Sequence, residues 1–436
     1  MNFTPAAIIQ KKRDGKQLTD REIKFLIEGI TTGTIADYQA TAFLMATYFK
    51  GMTSEETASF TQAMKESGKQ FNFSDLKGAK VDKHSTGGIG DKVSLVLAPL
   101  AAACGLIVPM MAGRGLGHTG GTIDKLESIP GYKPQLSEAE TRAILKEVGC
   151  VIIGQSELIA PADRKLYALR DVTATVDCIP LIVGSILSKK IAEGADSLVL
   201  DVKVGNGAFM KTKDQAKQLA KALIAVGKKS NLKIRALLTN MDQPLGDTVG
   251  NTLEVLECIE LLKDGKGPAD LKEITIQLCA HMLELGGTVK TLAQGRKLAL
   301  DKLANGEAWA RFIAMIEKQG GDISYLKNPE KFKKAPKIVE WRAHKRGYIS
   351  KMNNTEIGQM LVELGGGRKK TSDTIDPTVG FIFHKKLGAK VQAGELLVTA
   401  HLPSNADAQN WEDRFLSTIE IRNERKPVPK LILDTL

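Results

Sequence analysis

The run KHSTGGIGDK at residues 83–92 brings together a lysine, a histidine, two hydroxyl side chains and several glycines. Glycines let backbone amides converge on an anion, and a helix that begins after such a loop favours negative charge. Lys83, Ser85 and Thr86 add further donors. The GxxxxGK[ST] spacing of a P-loop is absent. The run therefore predicts a phosphate-binding loop of another kind, and the alternative is a plain glycine-rich turn between a strand and a helix.

A second glycine-rich run, GRGLGHTGGT, occupies residues 113–122, and its residues 115–120 fit GxGxxG. A dinucleotide site also needs an acidic residue about twenty positions further on, at the end of the next strand. Here Glu140 falls in a predicted helix instead. We therefore interpret this run as a second phosphate-facing loop, with the Thr122 hydroxyl as a donor.

A third group lies in YALRDVTATV at residues 167–176 and in SILSKK at residues 185–190. Ser185 and Lys189 are four residues apart, so they share one face of a helix. Arg170 and Lys189, each taken alone, are typical of solvated surface charges. They are candidates for a site only because they occur together with the other residues of these two runs. GxSxG and HExxH do not occur, and the histidines show no metal-ligand spacing, so we predict no metal site.

The elements that would position these groups follow from hydrophobic periodicity. Residues 1–70 predict three amphipathic helices, with capping boxes at Thr19–Glu22 and Thr53–Glu56 and a middle helix over Asp37–Lys50. Strand-like and helical runs alternate from residue 79 onward, which predicts an α/β unit with a mostly parallel sheet. The predicted strands are Ala79–Asp82, Ile107–Met111, Cys150–Ile153, Ser197–Val204 and Ile234–Thr239. Residues 161–193 are helical, either as an ordinary crossover or as a return to the first helices, and residues beyond 336 predict a small α+β unit.

Composition narrows the function. The net charge of +11 is spread along the chain and aromatic residues make up only 5%, so stacking platforms for nucleic acid are few. A positive field that gathers anionic substrates explains the charge as well, and so does a merely basic surface. The uncharged segment 95–112 is interrupted by Pro99, Gly105 and Pro109, so we interpret it as a buried helix and strand rather than a membrane span. Five cysteines stand in apolar surroundings, which is typical of reduced thiols in a cytoplasmic protein.

Taken together, the runs VDKHSTGGIGDK, GRGLGHTGGTIDKLESIPG, ALRDVTATVD, SKKIAEGAD and DVKVGNGAFM resemble the thymidine and pyrimidine-nucleoside phosphorylases. The resemblance implies a helical domain (1–72 plus 161–193), an α/β phosphate-binding domain (73–160 plus 194–334) and a C-terminal α+β domain (335–436), with a cleft between the first two. It also implies a homodimer that takes a pyrimidine nucleoside and inorganic phosphate as substrates, without an organic cofactor.

The resemblance also implies roles for individual residues. Phosphate contacts fall on Lys83, Ser85, Ser94 and Thr122, with Thr86 adjacent. The expected catalytic residues are His84, Arg170 and Lys189, which contact the nucleoside, and His84 would donate a proton to the base. Ser185 is a further nucleoside contact, with Leu116, Tyr167, Ile182 and Phe209 as walls.

Two positions depart from the family pattern. Ala112 stands where a serine usually contacts phosphate. Lys92 stands where some members have a threonine that helps to bind a monovalent cation, and the other positions of that site match Gly90, Leu245, Thr248 and Glu257. We hypothesise that the Lys92 ammonium replaces the cation and pairs with Glu257.

Substrate range stays open at this point. Leu169 and Val172 resemble the broad-specificity enzymes, Ile186 and Leu187 resemble the thymidine enzymes, and Gly184 matches neither and could enlarge the pocket. Two more distant alternatives are a phosphoribosyltransferase of the same architecture and a non-catalytic protein that binds nucleosides or nucleic acid.

Overall fold

A computed structural model describes residues 3–115, 117, 120–156, 158–370 and 372–436. The chain begins with four helices, one more than predicted; they are α1 (Pro5–Arg13), α2 (Asp20–Thr32), α3 (Asp37–Lys50) and α4 (Ser54–Glu66). The capping boxes at Thr19 and Thr53 are confirmed, because each side chain accepts from the backbone N–H three residues on and the glutamate there returns the bond. The unpredicted α1 is capped by the Thr4 side chain and begins with proline.

The α/β part then starts with six elements: β1 (Val81–Ser85), α5 (Val93–Ala103), β2 (Val108–Ala112), α6 (Thr122–Leu126), α7 (Glu138–Val148) and β3 (Cys150–Gly154). Strand β1 runs further than predicted, since Lys83, His84 and Ser85 belong to it rather than to the loop after it. All three continue the parallel pairing with the neighbouring strand through residues 197–201. The glycine run therefore begins only at residue 86, directly beyond the end of the strand.

Two helices follow, α8 (Pro161–Val172) and α9 (Ile179–Ala192), and they return the chain to the first helices. Ala162, Leu166, Cys178 and Leu181 are buried in one apolar cluster with residues of α1–α4. The pattern of the sequence left a crossover and a return equally open, and the packing shows the return.

The remaining elements of the α/β part are β4 (Ser197–Val204), α10 (Lys213–Lys229), β5 (Lys233–Asn240), β6 (Thr248–Val249), α11 (Asn251–Asp264), α12 (Ala269–Leu285), α13 (Leu292–Ala304), α14 (Glu307–Lys318) and α15 (Ile323–Lys327). Strands β1, β4 and β5 are parallel neighbours, and β2 pairs in parallel with β3. A parallel bridge from Lys80 to Ile107 connects the two groups. The prediction of a mostly parallel sheet covered by helices is confirmed.

The C-terminal elements are β7 (Lys337–Arg342), β8 (Gly347–Met352), α16 (Asn354–Leu361), β9 (Gly380–Phe383), β10 (Lys390–Val391), β11 (Leu396–Leu402), α17 (Ala408–Ser417), β12 (Ile419–Arg422) and β13 (Ile432–Thr435). Their sheets are antiparallel, as expected for an α+β unit. Two strand pairings join elements on opposite sides of the predicted boundary near residue 335. β6 pairs with β9, and β13 pairs with β5 in the α/β sheet. Among the described residues, no helix combines the length and the apolar character that crossing a bilayer requires.

Candidate active site

A cavity of about 570 Å³ lies where the ends of β1 and β2 face helices α8 and α9. Every described residue that the sequence assigned to phosphate or nucleoside lines it: Lys83, His84, Ser85, Thr86, Ser94, Thr122, Tyr167, Arg170, Ile182, Ser185, Lys189 and Phe209. Leu116 lies outside the described residues. Ala112, at the end of β2, lines the cavity as well. Three separate motifs thus meet at one site.

Lys83 projects from β1 into this cavity with almost no exposed side-chain surface. Its Nζ lies 3.5 Å from Ser94 Oγ and 3.9 Å from Asp91 Oδ1. Both contacts are longer than the roughly 2.7–2.9 Å of a charge-assisted hydrogen bond. Burial lowers the pKa of Lys83, and Asp91 and Asp201 partly oppose that shift. A buried ammonium with long protein contacts is well suited to receive an anion.

Asp91 was not predicted, although it lies inside the first glycine run. Its carboxylate accepts a hydrogen bond from Ser85 Oγ. Burial alone would raise the pKa of Asp91, but the positive charges of Lys203 and Lys83 outweigh burial and hold this pKa well below its usual value. Asp91 therefore stays ionised, and it orients the Ser85 hydroxyl at the edge of the anion site.

Thr86 fixes the other side of the same loop. Its Oγ1 accepts a hydrogen bond of 2.9 Å from the Lys203 backbone N–H, and its own N–H donates to the Asp201 carbonyl at 3.1 Å. Because Oγ1 acts as an acceptor there, the hydroxyl proton is available to a ligand in the cavity.

Lys189, on α9, forms an ion pair with Asp163 of α8, and its Nζ donates to Ser185 Oγ at 3.1 Å. The predicted pairing of Ser185 with Lys189 on one helix face is confirmed. Asp163 is almost fully buried and was missed. It directs the Lys189 ammonium toward the cavity. The only sequence feature that marks Asp163 is its position as the third residue of α8.

Arg170 is buried, and its guanidinium donates to three backbone carbonyls in or beside the α8–α9 connection, those of Thr175, Val176 and Leu181. An arginine has five N–H donors, so two remain for a ligand. Its guanidinium also lies 5.5 Å from the Tyr167 ring centroid. Arg170 consequently shapes the wall of the cavity as well as contributing charge to it.

His84 differs from the expectation of a proton donor. Burial, followed by the positive charges of Lys190, Lys189 and Lys83, holds its pKa well below the usual value of about 6.5. The ring is therefore neutral at neutral pH and has no extra proton to give. It can still donate one N–H hydrogen bond, which replaces the predicted role of general acid.

Lys92 lies in a separate, fully buried cluster. Its Nζ donates to the carbonyl oxygens of Leu245 at 3.1 Å and Thr248 at 2.7 Å, and to Thr248 Oγ1 at 3.1 Å. It also forms an ion pair with Glu257. Gly90 approaches closely, since a Cβ at that position would lie 2.6 Å from the Leu245 carbonyl oxygen. The pairing in our hypothesis, Lys92 with Glu257, is present.

Residues 6–68 and 77–309 match the families described as the helical bundle domain and the a/b domain of the glycosyl transferase family. Residues 348–422 match the pyrimidine nucleoside phosphorylase C-terminal domain. The fold and the cavity thus define a glycosyltransferase.

Two relatives are more specific. The chain is 45% identical to thymidine phosphorylase of Agrobacterium fabrum over the whole of both chains. It is 49% identical to pyrimidine-nucleoside phosphorylase of Staphylococcus haemolyticus, covering 90% of this chain and 91% of that one. The chain belongs to the thymidine and pyrimidine-nucleoside phosphorylase family, and it is a pentosyltransferase.

A solved structure shows the wider fold. Anthranilate phosphoribosyltransferase from Thermus thermophilus superimposes with a TM-score of 0.58 at 20% identity, covering 72% of this chain and 99% of that one. At this identity the likeness concerns architecture alone.

Proposed function

We propose that the protein catalyses the reversible phosphorolysis of pyrimidine nucleosides, converting thymidine and phosphate to thymine and 2-deoxy-α-D-ribose 1-phosphate. The observation that carries the proposal is the division of the cavity. Lys83 and four hydroxyl side chains stand on the α/β side, whereas Arg170 and Lys189 stand on α8 and α9. One side suits an anionic nucleophile and the other suits a leaving group that becomes negative.

The chemistry follows from that division. The bond between the pyrimidine nitrogen and the anomeric carbon breaks, and its electron pair leaves with the base. A phosphate oxygen forms the new bond from the opposite face, so the configuration inverts. Lys189 and Arg170 stabilise the developing negative charge, and the neutral His84 donates a hydrogen bond to a ring oxygen. Lys83, Ser94 and Thr122 hold phosphate in line, which lowers the entropic barrier. Ser85 joins them where its hydroxyl turns from Asp91 to phosphate.

We propose thymidine as the substrate, and the alternative is a broad-specificity enzyme that also uses uridine. Of the positions considered for specificity, Ile186 lines the cavity. Val172 is exposed, and Gly184 faces α4, where a Cβ would lie 2.6 Å from Phe60 Cδ1. The suggestion that Gly184 enlarges the pocket is therefore wrong. Ile182 and Ile186 form the apolar wall on α9 that a thymine methyl group would meet.

The test is release of free base from thymidine, uridine and deoxyuridine, each with and without phosphate, followed by absorbance. Lys189→Ala should lower kcat/KM by about 100-fold or more, because it removes charge at the leaving group. The matched control is Lys165→Ala: Lys165 lies on α8, bonds to the Ile30 carbonyl and Asp37, and is similarly exposed. Base release without phosphate, or an equal loss in both variants, would contradict the proposal.

The alternative functions differ from this one in the substrates they need and in whether they release base. A phosphoribosyltransferase would need phosphoribosyl pyrophosphate and magnesium rather than orthophosphate. A nucleic-acid binder would show salt-sensitive binding of oligonucleotides and release no base.

We further propose a homodimer in the cytoplasm. Helix α3 leaves Tyr38 and Phe49 77% and 74% exposed, which is unusual for large aromatic side chains and fits a surface covered by a second copy. Light scattering should give a mass near twice the 47.2 kDa of the chain. Tyr38→Ser with Phe49→Ser should lower that mass toward the monomer, and an unchanged mass would place the contact elsewhere.

A further inference from the structure

Arg368 is the one described residue of the C-terminal unit that lines the cavity. It follows three consecutive glycines, residues 365–367, which three residues separate from the end of α16, and its guanidinium reaches α6 just after the second glycine run. Its Nη1 donates to Asp124 Oδ1 at 2.7 Å. The side chain of Asp124 is 2% exposed and that of Arg368 is 12% exposed. This ion pair therefore joins the C-terminal unit to the phosphate side of the cavity at a nearly dry position.

Asp124 contacts two glycines of the second glycine run. Its Oδ2 accepts a hydrogen bond of 2.7 Å from the Gly115 backbone N–H. A Cβ on Gly121 would lie 2.0 Å from the Gly115 nitrogen and 2.6 Å from Asp124 Oδ2. Gly115 and Gly121 are thus packed against each other beside one carboxylate. Thr122, whose hydroxyl lines the cavity, follows Gly121 directly.

The loop that carries Arg368 is itself fixed from the α/β side. The Gly366 carbonyl accepts a hydrogen bond of 3.1 Å from the buried Asn251 side chain at the start of α11. Gly365 has a φ of +95°, a conformation that favours glycine, and its carbonyl accepts from the Asp376 N–H at 2.8 Å. Arg368 consequently reaches Asp124 from a rigid support rather than from a free loop.

The start of helix α16 is held by hydrogen bonds as well. The Asn354 N–H, at the start of α16, donates to Asn206 Oδ1 at 2.7 Å, and the Asn354 side chain donates to the Met241 carbonyl at 3.0 Å. Asn206 belongs to the loop after β4 that carries Phe209, a second cavity-lining segment. The segment from residue 354 to residue 368 therefore contacts two loops of the site, one at each end.

We propose that Arg368 is a positioning residue for phosphate. Through Asp124 it holds Gly115 against Gly121, and with them Thr122, in the geometry that receives the anion. This inference rests on the proposed function for the identity of the anion. Arg114 also contacts Asp124, at 3.3 Å, but its side chain is 45% exposed and pairs with Glu127, so Arg368 provides the drier and shorter contact.

The experiment measures binding of inorganic phosphate by calorimetry without nucleoside, and the two KM values in the phosphorolysis assay. Arg368→Ala should weaken phosphate binding and raise the phosphate KM by about tenfold, with the nucleoside KM within about twofold. Arg368→Lys should recover part of the loss. The matched control is Arg422→Ala, which removes an exposed arginine of the same unit that pairs with Glu420.

A second background tests the route through Asp124. Asp124→Asn keeps an acceptor for the Gly115 N–H and removes the charge, so Arg368→Ala should change phosphate affinity by less than about twofold there. An equal effect in both backgrounds, or parallel increases in both KM values, would overturn the proposal. If wild type binds phosphate but releases no base, the proposed function fails while the calorimetric comparison still decides the role of Arg368. Wild type that binds no phosphate overturns both.

Discussion

The buried Lys92 cluster allows a test of our hypothesis that the Lys92 ammonium replaces a monovalent cation. Lys92 Nζ faces four oxygen atoms: two carbonyls, the Thr248 hydroxyl and the Glu257 carboxylate. Its side chain is 0% exposed, and that of Glu257 is 5% exposed. Lys92→Ala would leave these oxygens facing one another without a positive charge. Removing one partner of a buried ion pair costs about 3–5 kcal/mol, a large part of a typical unfolding free energy of about 5–15 kcal/mol.

The same geometry predicts a rescue. Carbonyl, hydroxyl and carboxylate oxygens are the ligands of a hard cation, and Lys92→Ala opens space among them. Potassium at ten times its dissociation constant would restore about 1.4 kcal/mol. We therefore expect the urea midpoint of Lys92→Ala, measured by circular dichroism, to rise with potassium chloride and not with tetramethylammonium chloride at equal ionic strength. Wild-type stability should be the same in both salts.

Lys12→Ala is the matched control, because Lys12 is also a buried lysine and pairs with Glu56 at 2.8 Å. Its site presents one carboxylate oxygen rather than the set of four, so the loss of stability should be comparable and the potassium rescue absent. Equal responses of the two variants to potassium would refute the reasoning, as would wild-type phosphorolysis that requires potassium.

Three further outcomes are expected. Ala112→Ser should lower the phosphate KM by up to about fivefold, the value of about 1 kcal/mol for one hydrogen bond, and an unchanged KM in steady-state assays would argue against a phosphate contact. Gly184→Ala should destabilise the fold by about 1–3 kcal/mol through contact with Phe60 and Met64, while thymidine and uridine KM values keep their ratio. Because the pKa of His84 is lowered in the folded state, the unfolded chain binds the proton more readily, so the stability of wild type should fall relative to His84→Asn as pH drops from about 7.5 to about 5; parallel urea midpoints at the two pH values would contradict this.

Much of the architecture was predictable because its signals are local. The capping boxes at Thr19 and Thr53 each lie within four residues, and strand Ser197–Val204 was predicted to its ends because it is a continuous buried run. The predictions that were wrong concern residues whose structure depends on partners distant in sequence. β1 extends to Ser85 because residues 197–201 pair with it, and no property of KHS itself predicts a strand.

The residues of the candidate site also fall into those with a local signal in the sequence and those without one. Glycines, lysines and hydroxyls close together in sequence identified its two halves, since anion chemistry needs them clustered. The carboxylates that orient those groups gave no comparable signal: Asp163 stands 26 residues from Lys189, and its role is visible only once α8 and α9 pack together. A carboxylate in a phosphate site also looks unfavourable until the compensating charges of Lys83 and Lys203 are known, so nothing in the sequence marks Asp91 as part of the site.

The sequence gives no indication of the role of Arg368, because 244 residues separate it from Asp124. No periodicity or spacing relates the two, and an arginine after GGG is, on its own, typical of a solvated turn. What makes the pair functional is the fold, which brings Arg368 against the buried Asp124 beside the glycine run. The C-terminal unit therefore belongs to the site energetically as well as structurally. Truncation before residue 348 should consequently cost phosphate affinity even if the α/β sheet retained its other contacts, and calorimetry on Arg368→Ala isolates that cost without removing the unit.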